Sequence, residues 1–369
     1  MKINIAATHR FHLLDLAREL ADLGHDVKFY SYVPYSRSKK FGLKRQNTCS
    51  IFIYIFPILI LERLFSKSNL ILKLKFSIID FILTHFTRKC DFFIGLGTVY
   101  KNAFIKAKKN GAITILEWGS KHILEQEKNI TLNSKAKKLS TYFINKDLYN
   151  YEIVDYIAIP SLHVKNSFLE YEFSPKKLLI NPYGVDLNMF YPTILNNKCY
   201  DIIFVGNWSY TKGCDYIIEI INNSNFTFLH VGSIKDIEFP IHPRMTHIDS
   251  VEQNKLVDYY SLAKVFILPS RAEGLAMVQA QAVACGLPIV CSKNTGGSDL
   301  RNLISAKDWI IEFEDYSINS ILNSINQAII LAQTQKDLRN YVLDDINNLS
   351  WKEYGKRYSN NLFRIKNAF

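Results

Sequence analysis

Short apolar runs alternate with segments of helical periodicity, and the alternation occurs in two separate series along the 369 residues. Residues 2–8 read as a buried strand. Leu13, Leu16, Ala17, Leu20 and Leu23 then recur at helical spacing, Gly24 ends that helix, and residues 27–33 form a second strand. Strand, helix and strand in this order make a right-handed parallel unit. The pattern resumes at 91–96, 113–116 and 156–159. A second series begins near Asp201, with strands expected at 201–205, 226–231, 265–269 and 288–292 and helices at 213–222, 253–263 and 278–285. The join falls around Asn181-Pro182-Tyr183-Gly184-Val185-Asp186, with Pro192 and Asn196-Asn197 beyond it. The expected fold class is therefore α/β, with two doubly wound, Rossmann-like domains facing a central cleft. Ligands in such sheets bind beyond the carboxyl ends of the strands.

The length agrees, because one core seldom serves so long a chain. The net charge of +11 is divided unevenly. Residues 1–180 hold 28 Lys and Arg against 15 Asp and Glu, a net +13, while the rest hold 17 against 19. Nucleic acid is not expected, since no binding module or its spacing occurs. An anionic membrane surface or a phosphate-bearing acceptor suits the basic half, as does a merely solvated surface. The apolar run 51–61 contains Pro57 and is too short to span a bilayer. With 70–86, flanked by Arg88 and Lys89, it reads either as an interfacial helix or as a buried one. The cysteines, Cys49, Cys90, Cys199, Cys214, Cys285 and Cys291, show no metal or disulfide spacing. With no signal peptide in view, a reduced, cytoplasmic location is expected. Cys285 and Cys291 read as small core residues.

The most informative stretch runs from Pro269 to Ala282. A strand ends at Pro269, a loop carries Arg271, Glu273 and Gly274, and a helix opens. A helix start offers unpaired N–H groups and partial positive charge, which suits a phosphate. Glu273 can accept hydrogen bonds from sugar hydroxyls, or it can simply be a first-turn acid.

This stretch resembles the donor-binding motif of retaining glycosyltransferases of family four, which have the GT-B fold: a Glu, seven residues, then a second acidic position. Ala284-Cys285-Gly286-Leu287-Pro288-Ile289-Val290 matches the segment that follows it in the family. Asn181 to Asp186 resembles the family's hinge, and Phe204-Val205-Gly206 with Lys212-Gly213 resembles its glycine turn and phosphate-binding lysine. The resemblance covers essentially the whole chain. It implies domains at 1–185 for the acceptor and 186–350 for the nucleotide sugar, with a C-terminal helix at 351–369 returning to the first. It implies that Glu273 holds sugar hydroxyls, that the amides of Gly274, Leu275 and Ala276 meet the diphosphate, and that Lys212 neutralises the leaving group.

Two positions depart from the family pattern. Gln281 stands where a ribose-binding Glu is usual, and Asn207 where a phosphate-binding Arg is common. Gln still offers an acceptor and two donors. Arg271 either assists with the phosphates or lies on the surface. In the first half, Glu117-Trp118-Gly119-Ser120-Lys121-His122 resembles the segment carrying a His near the transferred sugar, so His122 is expected at the cleft with Glu117 as a neighbour. The loop Thr8-His9-Arg10-Phe11-His12 lacks the family's Gly-Gly pair. Thr295-Gly296-Gly297-Ser298-Asp299 sits where a loop can pass the donor.

No Asp-x-Asp motif occurs, and neither a metal nor another cofactor is expected. The expected activity is metal-independent, retaining hexosyl transfer from a nucleotide sugar to a glycan or lipid-linked acceptor. The setting would be bacterial O-antigen, capsule or lipopolysaccharide synthesis, peripheral on the inner face of the cytoplasmic membrane. A nucleotide-sugar epimerase, a phosphorylase or a non-catalytic nucleotide-sugar-binding protein are the alternatives.

Overall fold

A computed structural model describes residues 1–65, 68–131, 139–193, 199–334 and 345–368. The Asn196-Asn197 part of the expected join lies outside them. Two wholly parallel sheets form the frame. The first contains β1 (Lys2–Ala6), β2 (Asp26–Ser31), β3 (Thr48–Ser50), β4 (Phe92–Leu96), β5 (Ile113–Glu117), β6 (Tyr156–Ile159) and β7 (Leu178–Ile180), in the order β3-β2-β1-β4-β5-β6-β7. The second contains β8 (Tyr200–Val205), β9 (Phe228–Val231), β10 (Met245–Ile248), β11 (Ala263–Leu268), β12 (Ile289–Cys291) and β13 (Ile310–Glu312), in the order β10-β9-β8-β11-β12-β13. The central strands are covered on both faces, so they read as continuous apolar runs. Ile5 pairs with Phe29 on one side and Ile94 on the other, and Ile202 pairs with Val265 and Phe228. The strand order reverses between β1 and β4, and again between β8 and β11. Those two crevices are where ligands of such sheets bind.

Four edge or near-edge strands, β3, β7, β10 and β13, are three or four residues long and were not anticipated. The helix expected at 253–263 is a single 3₁₀ turn, Gln253–Lys255, followed by the helix Leu256–Ser261, and β11 starts at Ala263. Cys285 and Cys291 are buried in the core.

The apolar stretch after residue 51 forms two helices, Phe52–Leu64 and Asn69–Phe86. Their inner sides bury Ile55, Ile58, Ile79, Ile82 and Leu83. Their outer sides leave Ile53 at 76%, Leu64 at 69% and Leu70 at 74% exposure. These helices therefore cover the sheet and present apolar side chains outward as well. Among the described residues no helix is long and apolar enough to cross a membrane.

The last helix, Trp351–Ala368, lies against the first, Phe11–Asp22, and buries Tyr354, Tyr358, Leu362 and Ile365. Those positions share one helical face. The helices touch so closely that a β-carbon on Gly355 would stand 2.4 Å from Cβ of Glu19. The crossover is tied at the join: Val185 N–H donates to Leu349 O at 2.7 Å, and the Arg357 guanidinium donates to Pro182 O at 2.9 Å.

Candidate active site

In the second sheet the loops after β8, β9 and β11 are pressed together by glycines. Gly213 has φ +74°, and a β-carbon there would lie 2.1 Å from Pro269 O. Gly232 has φ +153°, and its β-carbon would lie 1.9 Å from Gly206 O. No other residue fits such approaches. Arg271 N–H also donates to Thr211 O at 2.8 Å. The contact carries Lys212, from the loop after β8, to Glu273, from the loop after β11. Lys212 Nζ makes an ion pair with Glu273 Oε1, and Ser270 Oγ donates to the same oxygen at 2.9 Å. The Lys212 and Glu273 side chains keep 25% and 15% exposure, so both remain open to solvent.

The two halves meet at the same loop. Gly274 lies against Gly119, and its carbonyl accepts from Ser161 Oγ at 2.7 Å. The Glu273 carbonyl faces His163 Nε2 at 2.9 Å, and Lys121 Nζ donates to Asn294 Oδ1 at 3.0 Å. Leu162 N–H donates to Asp299 Oδ1 at 2.9 Å. Burial pushes the Asp299 carboxyl up to about 6 and pulls the His163 imidazole down to about 4. Among the described residues the Gly274 and Leu275 N–H groups have no hydrogen-bond partner. They stand just before the helix Met277–Ala284, where peptide dipoles favour an anion.

Beside this loop a cavity of about 570 Å³ opens between the halves. Its first-half wall comes from the ends of β1, β4 and β5 and includes Arg10, His12, Gly97 and Glu117; Leu275 and Met277 close the other side. Phe11, at its mouth, has φ +36°, a conformation that costs a bulky residue about 1–3 kcal/mol. The chain thus keeps a glycine-like backbone turn after β1 without a glycine. His12 Nε2 lies 2.9 Å from Glu117 Oε2, and its ring packs on Tyr183 with centroids 4.3 Å apart. A larger hollow of about 750 Å³ lies along β13 and the helix Ile318–Thr334, and none of the residues expected to act is in it.

The expected site residues fall into three groups. Lys212, Glu273, Gly274 and Leu275 come together as described, with Gly206 in the adjoining turn and Asn207 exposed beside it. Three others are engaged within the protein. Arg271 binds Asp215 through both of its terminal nitrogens, at 2.7 and 2.6 Å, and lies over the rings of Tyr210 and Tyr216. The Ala276 N–H donates to Thr295 O at 3.2 Å, so it is not among the unpaired amides. Gln281 is buried and accepts from the Tyr260 hydroxyl at 3.2 Å.

His122 stands apart from the cleft. It is 1% exposed and packs against the rings of Tyr151, Phe168, Tyr171 and Phe173. Burial pulls its imidazole down to about 4, and Nε2 has no partner. The expectation that His122 contacts a substrate is corrected: apolar rings hold it neutral inside the first half. The histidine on the cavity wall is His12. The sequence singles out its loop but gives no sign of its pairing with Glu117, because 105 residues separate the two.

Residues 199–328 match the family model described as glycosyl transferases group 1. An uncharacterized glycosyltransferase of Methanocaldococcus jannaschii is 23% identical over 254 residues, covering 64% of each chain. The UDP-Gal:alpha-D-GlcNAc-diphosphoundecaprenol alpha-1,3-galactosyltransferase of Escherichia coli is 25% identical over 201 residues, covering 47% of this chain and 51% of that one. The matched stretches thus span less than two thirds of these relatives. Anabaena HepE, solved in complex with UDP, has the same fold: the TM-score is 0.65 at 12% identity, over 99% of this chain and 100% of the other. Residues 199–328 thus match the group 1 glycosyltransferases, and the chain as a whole has the GT-B fold.

Proposed function

We propose that this protein transfers a hexosyl group from a nucleotide sugar to a glycan or lipid-linked acceptor, with retention and without a metal. The observation that carries the reading is the division of labour across the cleft. The second half presents a lysine, a carboxylate and two unpaired amides on adjoining loops, and the first half walls a separate cavity beside them. The amides and Lys212 suit a diphosphate, and Lys212 offsets charge as the nucleoside diphosphate departs. Glu273 suits the sugar hydroxyls. The donor would part Lys212 from Glu273 and give each a new partner. The cavity leaves room for a second substrate, which favours transfer over epimerisation.

The acceptor reading draws on the Escherichia coli relative, whose name specifies UDP-Gal and a diphosphoundecaprenol-linked GlcNAc. That chemistry fits bacterial surface polysaccharide synthesis (O-antigen, capsule or lipopolysaccharide) at the cytoplasmic face of a membrane. The apolar outer sides of the helices Phe52–Leu64 and Asn69–Phe86, within a half of net charge +13, suit peripheral contact with anionic lipid.

The test is direct. Purified protein is screened by thermal shift against UDP- and GDP-sugars. Each donor that binds is then offered with a short-chain polyprenyl-diphosphate-linked GlcNAc, with and without EDTA. A donor should raise the melting temperature and its sugar should appear on the acceptor in either buffer. Donor turnover with no acceptor present, or binding without transfer, would replace this reading with epimerisation or non-catalytic binding.

A further inference from the structure

Three consecutive residues of the first half, Ser161, Leu162 and His163, each bond to the second half. Ser161 Oγ donates to Gly274 O at 2.7 Å, and His163 Nε2 lies 2.9 Å from Glu273 O. Leu162 N–H, between them, donates to both Asp299 carboxylate oxygens, at 2.9 and 3.1 Å. A carbonyl only accepts, so His163 carries its proton on Nε2. Burial pulls this imidazole down to about 4 and so keeps it neutral, and Nδ1 has no partner. The one proton of the ring is therefore committed to the Glu273 carbonyl.

The two carbonyls belong to the same peptide units as the Gly274 and Leu275 N–H groups. A peptide unit is planar, and in its trans form C=O and N–H point in opposite directions. Among the described residues no peptide bond is cis. Holding the carbonyl thus fixes where the N–H of that unit points, and the bond strengthens the N–H as a donor. On either side the loop is anchored within its own half: Glu273 N–H donates to Asn294 O at 2.9 Å and Ala276 N–H to Thr295 O at 3.2 Å. Among the described residues, the two units between take hydrogen bonds only from the first half. Their N–H groups stay unpaired although Gly274 and Leu275 are buried.

We infer that Ser161 and His163 are positioning residues for the donor's diphosphate: they aim and polarise the Gly274 and Leu275 amides, so that the phosphate site of the second half is complete only while the first half is seated against it. The inference rests on the reading of those amides as the diphosphate site. The two side chains act through the peptide planes and not by contact with the nucleotide. Because coupling between sites is reciprocal, a diphosphate on the amides tightens the hold of residues 161–163 on the donor loop.

The experiment titrates the full chain with UDP and with uridine by isothermal calorimetry, comparing wild type, Ser161→Ala, His163→Phe, the double variant and His163→Gln. GDP and guanosine replace them if only GDP raises the melting temperature. Each single loss should weaken UDP binding by about fivefold to tenfold, the size of one hydrogen bond, and the pair by about 30-fold or more. Uridine affinity should stay within about twofold, since the nucleoside has no phosphate for the amides. His163→Gln keeps an N–H donor and should bind UDP within about threefold of wild type, a recovery that packing alone does not give. If the variants do not fold, hydrogen exchange of the wild type decides: UDP should slow exchange of the Leu162 amide by about tenfold or more. A double variant that binds UDP within about threefold of wild type, equal losses for UDP and uridine, a His163→Gln as weak as His163→Phe, or Leu162 exchange indifferent to UDP overturns the positioning role. A wild type that binds UDP and GDP no more tightly than their nucleosides overturns the reading of the amides as the diphosphate site, and this inference with it.

Discussion

Gly274 and Gly119 meet backbone to backbone across the cleft: a β-carbon on Gly274 would stand 1.7 Å from the Gly119 carbonyl oxygen. One belongs to the loop after β11 and the other to the loop after β5, so this contact sets how closely the halves approach beside the unpaired amides. Gly274→Ala cannot be accommodated without moving one loop. The variant should keep its far-ultraviolet circular dichroism, because both sheets lie away from the contact. Its donor KM should rise and its kcat fall, together by about 100-fold, since small misplacement of the loop proposed to hold the donor is costly. Steady-state kinetics with an identified donor would check it.

Lys212 and Glu273 are partners of each other and, in the proposed reaction, of different parts of the donor. Glu273→Gln keeps the shape and removes the charge, and should lower kcat by about 100-fold. Lys212→Ala should instead show its largest effect on nucleoside diphosphate affinity, because in the proposed reaction the lysine is the cation that offsets the departing phosphates. Isothermal titration with UDP separates the two: a marked loss is expected for Lys212→Ala and little change for Glu273→Gln.

His122 offers a test in the opposite direction. Burial lowers its imidazole from 6.5 to about 4. The folded chain therefore takes up this proton later than the unfolded chain as acid is added. The stability that neutral His122 contributes is complete above pH 6.5 and is lost as the pH falls toward 4. His122→Phe removes that loss. The variant should gain melting temperature relative to wild type at pH 4.5, show a smaller difference at pH 7.5, and keep kcat within about threefold.

The outward-facing apolar residues predict membrane association. Ile53→Ser, Leu64→Ser and Leu70→Ser together remove three of the most exposed apolar side chains on the two helices. All three positions are largely solvated, so the melting temperature should move little. Co-sedimentation with phosphatidylglycerol-containing vesicles should fall sharply in the triple variant, and binding of the wild type should weaken as salt rises.

The cleft is unevenly legible in the sequence for a physical reason. Parallel strands such as β1, β4, β8 and β11 are covered on both faces and announce themselves as apolar runs. Glycines and charges at strand ends, as in Gly206, Lys212, Glu273 and Gly274, mark turns whose chemistry is local. The short strands β3, β7, β10 and β13 carry too few residues for a period to show. Arg271 gave no sign that Asp215 and two tyrosines would engage it, because that partnership spans 56 residues.

What the sequence alone determined was the double α/β frame and the loop chemistry of its second half, since both depend on neighbours within a few residues. Tertiary structure decided which histidine meets the cavity. His12 and His122 each follow a strand of the same sheet. Four rings drawn from residues 151–173 close over His122, whereas the helix opening at Phe11 sets His12 beside Glu117. Burial and pairing at such distances along the chain arise only when the sheet brings the ends of β1 and β5 together.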